Sequence, residues 1–167
     1  RAVAKAERVG EQWGARIPRS ARRPRRTAGR GRRGTMREHP NVARIVRGYE
    51  AFAAHDVDGV LGLLSPDVVW HVNGGRFAGD HKGQAEVAAH FACLAEFTGG
   101  SLLLNVLDVF ADDHHAIAHV RETASRAVDG ARLDVREAHV YHLDPDGRAT
   151  EFWNVHADPE SYRDFFA

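Results

Sequence analysis

Apolar residues between positions 41 and 53 fall at helical spacing, with Val42, Ile45, Val46, Tyr49, Phe52 and Ala53 on one stripe. This pattern predicts a first helix with Asn41 as its N-cap. His55 and Asp56 break the stripe, and Val57, Val60, Leu61 and Leu64 predict a short second helix that stops before Ser65-Pro66. Residues 68–72 read as a strand. A glycine-rich loop over 73–83 leads to a third helix at 84–97, whose stripe is Val87, Phe91, Leu94 and Ala95 and whose stop is Gly99-Gly100. From there the period changes to two, which predicts strands at 102–110, 116–126, 133–143 and 149–156. Asp129-Gly130 and the run from Asp144 to Gly147 are hairpin turn signals, and 159–166 closes as a short helix. Three helices set around a four- or five-stranded antiparallel sheet, its last three strands a meander, make an α+β fold.

A chain of 167 residues has enough length for one domain with a sizeable core. Its formal charge is zero, but the balance is uneven along the chain. Residues 1–35 carry twelve basic and two acidic side chains, whereas residues 36–167 carry eleven and twenty-one. Its stretch 15–34 has almost no apolar content and cannot offset its ordering entropy, which predicts a disordered Arg-rich extension over 1–35 before a single domain at 36–167. Either it is an arm that neutralises nucleic-acid phosphates, or the native start is Met36 and the arm is not translated. The single Cys93 excludes a disulfide framework. No run of about 18 apolar residues predicts a membrane span, so the expected location is the cytoplasm.

The odd positions of 133–143 share one strand face. Leu133, Val135, Tyr141 and Leu143 suit a core, yet Glu137 and His139 point the same way. An acid and an imidazole on a buried face must hydrogen-bond each other or line a cavity that admits a ligand.

The order of helix, Asp-containing break, short helix, Pro66-Asp67-Val68-Val69-Trp70-His71, a Gly79-to-Gly83 loop before a helix, and strands ending in Asp146-Gly147-Arg148 and Glu151-Phe152-Trp153 resembles the nuclear-transport-factor-two-like superfamily. Within it, the chain is most similar to SnoaL-like and ketosteroid-isomerase-like bacterial proteins over about 40–158. The resemblance implies a cone, with the helices packed in a strongly curved antiparallel sheet and a ligand pocket inside. It also puts His139 where the isomerases carry the protonated acid that donates to the substrate oxyanion. Their shuttling aspartate falls near His71 or Val72, where this chain has no carboxylate. Their oxyanion-donating tyrosine falls at Gly48, beside Tyr49. Steroid isomerisation in its familiar form is therefore not the expectation.

The predicted catalytic set is His139 and Glu137, assisted by Glu122 or His71. With a two-residue Asp129-Gly130 turn, Glu122 faces Glu137 and provides an acid and a base together; a one-residue slip puts Arg121 there and makes an ordinary salt bridge. Trp70 and His71 alternate, so one of them faces the pocket. Tyr49, Trp70, Asn73, Phe77, Phe91, Tyr141 and Trp153 are the candidate contacts to a small, largely apolar molecule, with Asn73, Phe77 and His81 in the loop over the mouth. Eleven histidines invite a metal, yet no close pair shares a face, so neither metal nor other cofactor is expected. The expected activity is cofactor-independent proton transfer on a polyketide-, terpenoid- or steroid-like carbonyl compound by an isomerase, cyclase or hydratase. The alternative is a non-catalytic binding or association domain whose titratable groups pair with one another. The resemblance further implies a homodimer through the outer sheet face, where Ala138 and Val140 lie.

Overall fold

The computed structural model describes residues 36–167, so the expectations for the Arg-rich segment fall outside the described residues. Helix α1 spans Pro40–Ala53 and α2 spans Val57–Leu61. Proline is well placed at the first helical position, where the missing N–H has no partner to lose. The cap is His39 rather than Asn41: the His39 imidazole accepts from the Asn41 amide, while the Asn41 side chain is buried and donates to the Asp112 carbonyl. Asp56 caps α2 through the Gly59 amide.

The strands are β1 (Leu64–Val72), β2 (Gly79–Lys82), β3 (Leu103–Ala111), β4 (His115–Ser125), β5 (Arg132–Leu143) and β6 (Ala149–His156). Helix α3 covers Gly83–Thr98, and α4 covers Pro159–Phe165. They form one six-stranded sheet in the order β2-β1-β6-β5-β4-β3. Two departures from the expected sheet stand out. Strand β2 lies within the predicted loop, and β1 pairs with β6 in parallel, so one junction of an otherwise antiparallel sheet is mixed.

Curvature has identifiable sources. The ladders shift register between Val106 and Asp108 in β3, between His142 and Leu143 in β5, and between Leu64 and Val69 in β1. Such irregularities bend a strand and raise its local twist. The concave face wraps α1 and α3, whose Tyr49, Val87, Phe91 and Leu94 join Val106, Val120, Val135 and Phe152 in one core. Burial alternates without a break along β5, so its odd positions are the inner face.

The β4–β5 register differs from both expected alternatives. Val120 opposes Glu137 and Ala118 opposes His139, a shift of two residues from the Glu122-to-Glu137 pairing. Ser125 and Arg132 are the last pair, and a six-residue connection replaces the two-residue turn. Arg121 faces outward and pairs with Asp134, which removes the Arg121–Glu137 bridge.

The outer face carries an apolar patch in two cross-strand rows. Ile117, Val140 and Trp153 form one, and His119, Ala138 and Val155 the other. Ile117 and Val155 are exposed. Among the described residues no helix is long and apolar enough to cross a membrane.

Candidate functional site

Inside the cone lies a cavity of about 110 Å³, walled by Trp70, Phe91 and Phe152 and carrying Tyr49, Tyr141, His139, Glu137 and Glu122 at its polar end. Each polar group arrives through a local rule. Glu137 and His139 are two apart on β5 and therefore project side by side. The opposing β4 residues are Val120 and Ala118, and the small Ala118 leaves room for the imidazole. Tyr49 is on the buried stripe of α1, one turn beyond Ile45 and one turn before Phe52.

These side chains form one hydrogen-bonded row. Tyr49 Oη stands 2.9 Å from Tyr141 Oη and 2.6 Å from His139 Nδ1, and His139 Nε2 stands 2.9 Å from Glu137 Oε1. Glu137 and His139 are 2 % and 6 % exposed, so water does not screen the pair. On the far side of Glu137, His156 Nδ1 approaches Oε2 to 3.0 Å, close enough for charge attraction but off line for a hydrogen bond. Glu122, buried on the same inner face, hydrogen-bonds Glu137 as a diagonal neighbour.

The two carboxyl groups are held in opposite states. Burial, then the charge of Glu137 and the hydrogen bond to it, push Glu122 well above the ordinary carboxyl range, so Glu122 is the protonated partner. Burial works in the same direction on Glu137, but attraction by His139, hydrogen bonds from His139 and Glu122, and the nearby His156 imidazole overcome it and hold Glu137 as a carboxylate. Burial, reinforced by Tyr141 and Glu137, pushes the Tyr49 phenol up; burial and Glu137 raise Tyr141 also, against the opposing hydrogen bond from Tyr49. Both phenols keep their protons.

The row can run in two directions. With a neutral imidazole, His139 Nε2–H donates to Glu137, Tyr49 O–H donates to Nδ1, and Tyr141 O–H donates to Tyr49. With a second proton on His139, Nδ1–H donates to Tyr49, Tyr49 donates to Tyr141, and the Tyr141 hydroxyl is released to donate into the cavity. The geometry is therefore that of a proton relay ending at Tyr141, with Glu137 orienting the imidazole as a carboxylate does in a hydrolytic triad.

Of the expected residues, Tyr49, Trp70, Phe91, Glu122, Glu137, His139 and Tyr141 line the cavity. Four do not. His71 projects from the outer sheet face, where its Nδ1 is 2.7 Å from Asp80 and its ring stacks on Trp153. Trp153 shares that face, and the cavity wall on β6 is its neighbour Phe152. Asn73 is tied to Asn154 by two hydrogen bonds, and Phe77 packs against Phe97 and Phe166. Val72, at the other position matched to the isomerases' aspartate, lines the cavity as an apolar group.

Sequence reasoning missed Asn154, Tyr162 and His90, which also line the cavity. His90 had a legible signal, because it lies between Val87 and Phe91 on the α3 stripe, where a titratable group is as anomalous as Glu137 is on β5. No group of three or more metal-ligating side chains is found among the described residues. Arg44 and Gly147 line both the cavity and a surface hollow, so the two adjoin between the start of α1 and the β5–β6 hairpin. Gly147 has a φ of 73°, and a Cβ there would stand 2.6 Å from Asn41 Oδ1 and 2.9 Å from Arg44 Nε, so only glycine fits the hairpin tip against α1.

The SnoaL-like domain model matches residues 45–152. Among solved structures, Bal32a from a soil-derived mobile gene cassette is similar at 32% identity, with a TM-score of 0.71 over 76% of this chain and 96% of that one. TerC, co-crystallised with polyporic acid, is similar at 20% identity with a TM-score of 0.67, over 77% of this chain and 98% of that one. A Mycobacterium tuberculosis protein in complex with estradiol-17beta-hemisuccinate is similar at 19% identity with a TM-score of 0.60, over 70% of this chain and 93% of that one. At those lower identities the likeness is one of fold alone. No curated protein matches the chain. Together with the cone and its interior cavity, these matches establish that the chain belongs to the SnoaL-like domain family, within the nuclear-transport-factor-two-like fold.

Proposed function

We propose that the protein is a cofactor-independent proton-transfer enzyme that enolises a small, largely apolar carbonyl compound. The supporting observation is the unbroken row from Tyr141 through Tyr49 and His139 to Glu137, buried at one end of an apolar cavity. In this reading the substrate carbonyl oxygen accepts from Tyr141 O–H. As negative charge develops there, Tyr141 passes its proton to the oxygen, Tyr49 reprotonates Tyr141, and His139 Nδ1 reprotonates Tyr49. Loss of the charge on His139 removes the chief attraction holding Glu137 deprotonated, and burial then favours a proton on it. Glu137 thus becomes a competent acceptor for the substrate α-proton as the relay empties, and the neutral Glu122 keeps a second carboxylate out of the same site.

Cavity size bears on the substrate. An apolar cavity of roughly 150 Å³ encloses benzene, so 110 Å³ encloses at most a reacting fragment of about one ring. In this reading any longer skeleton extends toward the hollow beside Arg44 and Gly147. Two neighbours of the same fold were crystallised with polyporic acid and with estradiol-17beta-hemisuccinate, which supports an apolar carbonyl or polyketide-like class. The test is α-hydrogen exchange of cyclohexanone and acetophenone in deuterium oxide: the proposal expects exchange well above buffer, and it loses if these ketones bind without exchanging.

A second reading, a non-catalytic binding domain, is favoured by one fact: the polar groups at this end are largely paired with one another. It predicts binding without exchange. We also propose a homodimer through the outer patch, because Ile117, Val140, Trp153 and Val155 make an apolar strip across the outer sheet face.

A further inference from the structure

His90 lines the cavity from α3, is 6 % exposed, and has no hydrogen-bond partner for its buried Nδ1. It is separated from the polar row by aromatic surface: His90 packs on Phe91, Phe91 meets Trp70 edge-on, Trp70 stacks on Phe152, and Phe152 abuts His139. Its other ring neighbours are His81, stacked at 4.4 Å, and Phe77. An unfilled hydrogen bond on a buried polar group costs roughly 1–3 kcal/mol. Apolar side chains at this helical position would avoid that cost, as Val87 and Phe91 do beside it.

We propose that His90 is a second polar anchor of the cavity, and that the ligand class is a hydroxyketone or related compound with oxygen functions at both ends of an apolar middle. Its carbonyl oxygen reaches Tyr141, the middle lies along Phe91, Trp70 and Phe152, and a hydroxyl at the other end fills the vacant position on His90. A hydroxyl suits either tautomer, because it can donate to a bare ring nitrogen or accept from a protonated one. Burial, and secondarily the proximity of His81, push the His90 imidazole down to about 4, so it acts as a neutral hydrogen-bonding group at neutral pH. The role is ligand positioning and specificity; no proton need leave His90 during the reaction.

This inference rests on the proposed reading of the cavity as a carbonyl site, and the test separates the two. 4-Hydroxycyclohexanone and para-hydroxyacetophenone are titrated into the protein against their parents, cyclohexanone and acetophenone, with calorimetric affinities and ring-nitrogen NMR shifts of His90 and His139 as readouts. The expected result is that all four ketones move His139, that only hydroxylated compounds move His90, and that at least one hydroxyketone binds about tenfold tighter than its parent. A His90→Phe variant removes that preference, so that hydroxylated and parent ketones bind it alike. If hydroxylated and parent ketones bind alike and move His139 without moving His90, the second anchor is wrong and the carbonyl site stands. If none of the four moves either histidine, both are wrong. The NMR comparison uses the native protein, so it holds even where His90→Phe fails to fold.

Discussion

The Tyr49 hydroxyl lies 2.6 Å from His139 Nδ1, joining the first helix to the fifth strand in the interior of the cone. It also meets Tyr141 at 2.9 Å, so one oxygen links the phenol facing the cavity to the imidazole that Glu137 orients. Removing it in Tyr49→Phe leaves His139 Nδ1 and the Tyr141 hydroxyl with unfilled bonds inside a low-dielectric site. The expected loss of stability is about 1–3 kcal/mol, read from urea midpoints at unchanged slope.

The opposite protonation of the two buried glutamates predicts unequal responses to the same isosteric change. Glu122→Gln replaces a neutral carboxyl with a neutral amide that can still donate to Glu137, so stability at pH 4.5 changes by less than about 1 kcal/mol, and at neutral pH the variant is the more stable because it takes up no proton on folding. Glu137→Gln removes the charge facing His139 and His156, with a cost of about 3 kcal/mol. Equal losses in the two urea titrations would contradict the assignment of the charge to Glu137.

Stability against pH provides a separate check with a definite sign. Glu122 has its folded pKa raised above the ordinary 4.5, so its contribution is complete below that value and is lost as pH rises above it, at up to about 1.4 kcal/mol per unit. Glu137 is lowered, so its contribution is present above 4.5 and lost as pH falls below it. His90 is lowered from 6.5 to about 4, so between these values its contribution grows with pH and opposes that of Glu122. The native protein is therefore expected to have a shallow profile from 4.5 to 6.5. Glu122→Gln unmasks a rise with pH in that window, which denaturant melts at half-unit intervals would reveal; parallel profiles for the two proteins would count against it.

The outer patch yields a prediction on association. Ile117→Lys together with Val155→Lys places charges on both rows of the apolar strip without touching the cavity. Sedimentation velocity should find a dimer for the native chain and a monomer for the variant, with the same thermal response to ketones.

The inner face of β5 was legible from sequence because side-chain parity survives a register error of an even number of residues. The connection between β4 and β5 runs over six residues, with Asp129 bonding to the Ala131 amide and to Arg126, and Gly130 at a φ of 73°. The Asp-Gly signal thus marked the turn but not its length, and the pairing moved by two without turning Glu137 outward. Where parity itself was ambiguous, the reading failed. Trp153 is the expected contact on β6, yet one step along the strand it is Phe152 that faces inward. Strand β2 was missed because Gly79, Asp80, His81 and Lys82 have no apolar alternation; their ladder to β1 makes them a strand. His90 sits on the apolar stripe of α3, the same kind of anomaly that drew attention to Glu137.

The most direct test of the relay is the rate of α-hydrogen exchange of bound acetophenone in deuterium oxide, compared between the native protein and His139→Ala, with ketone affinity measured in parallel. The relay predicts a fall of about 10²–10⁴ in the exchange rate while the ketone still binds. Exchange at the native rate in His139→Ala would contradict it.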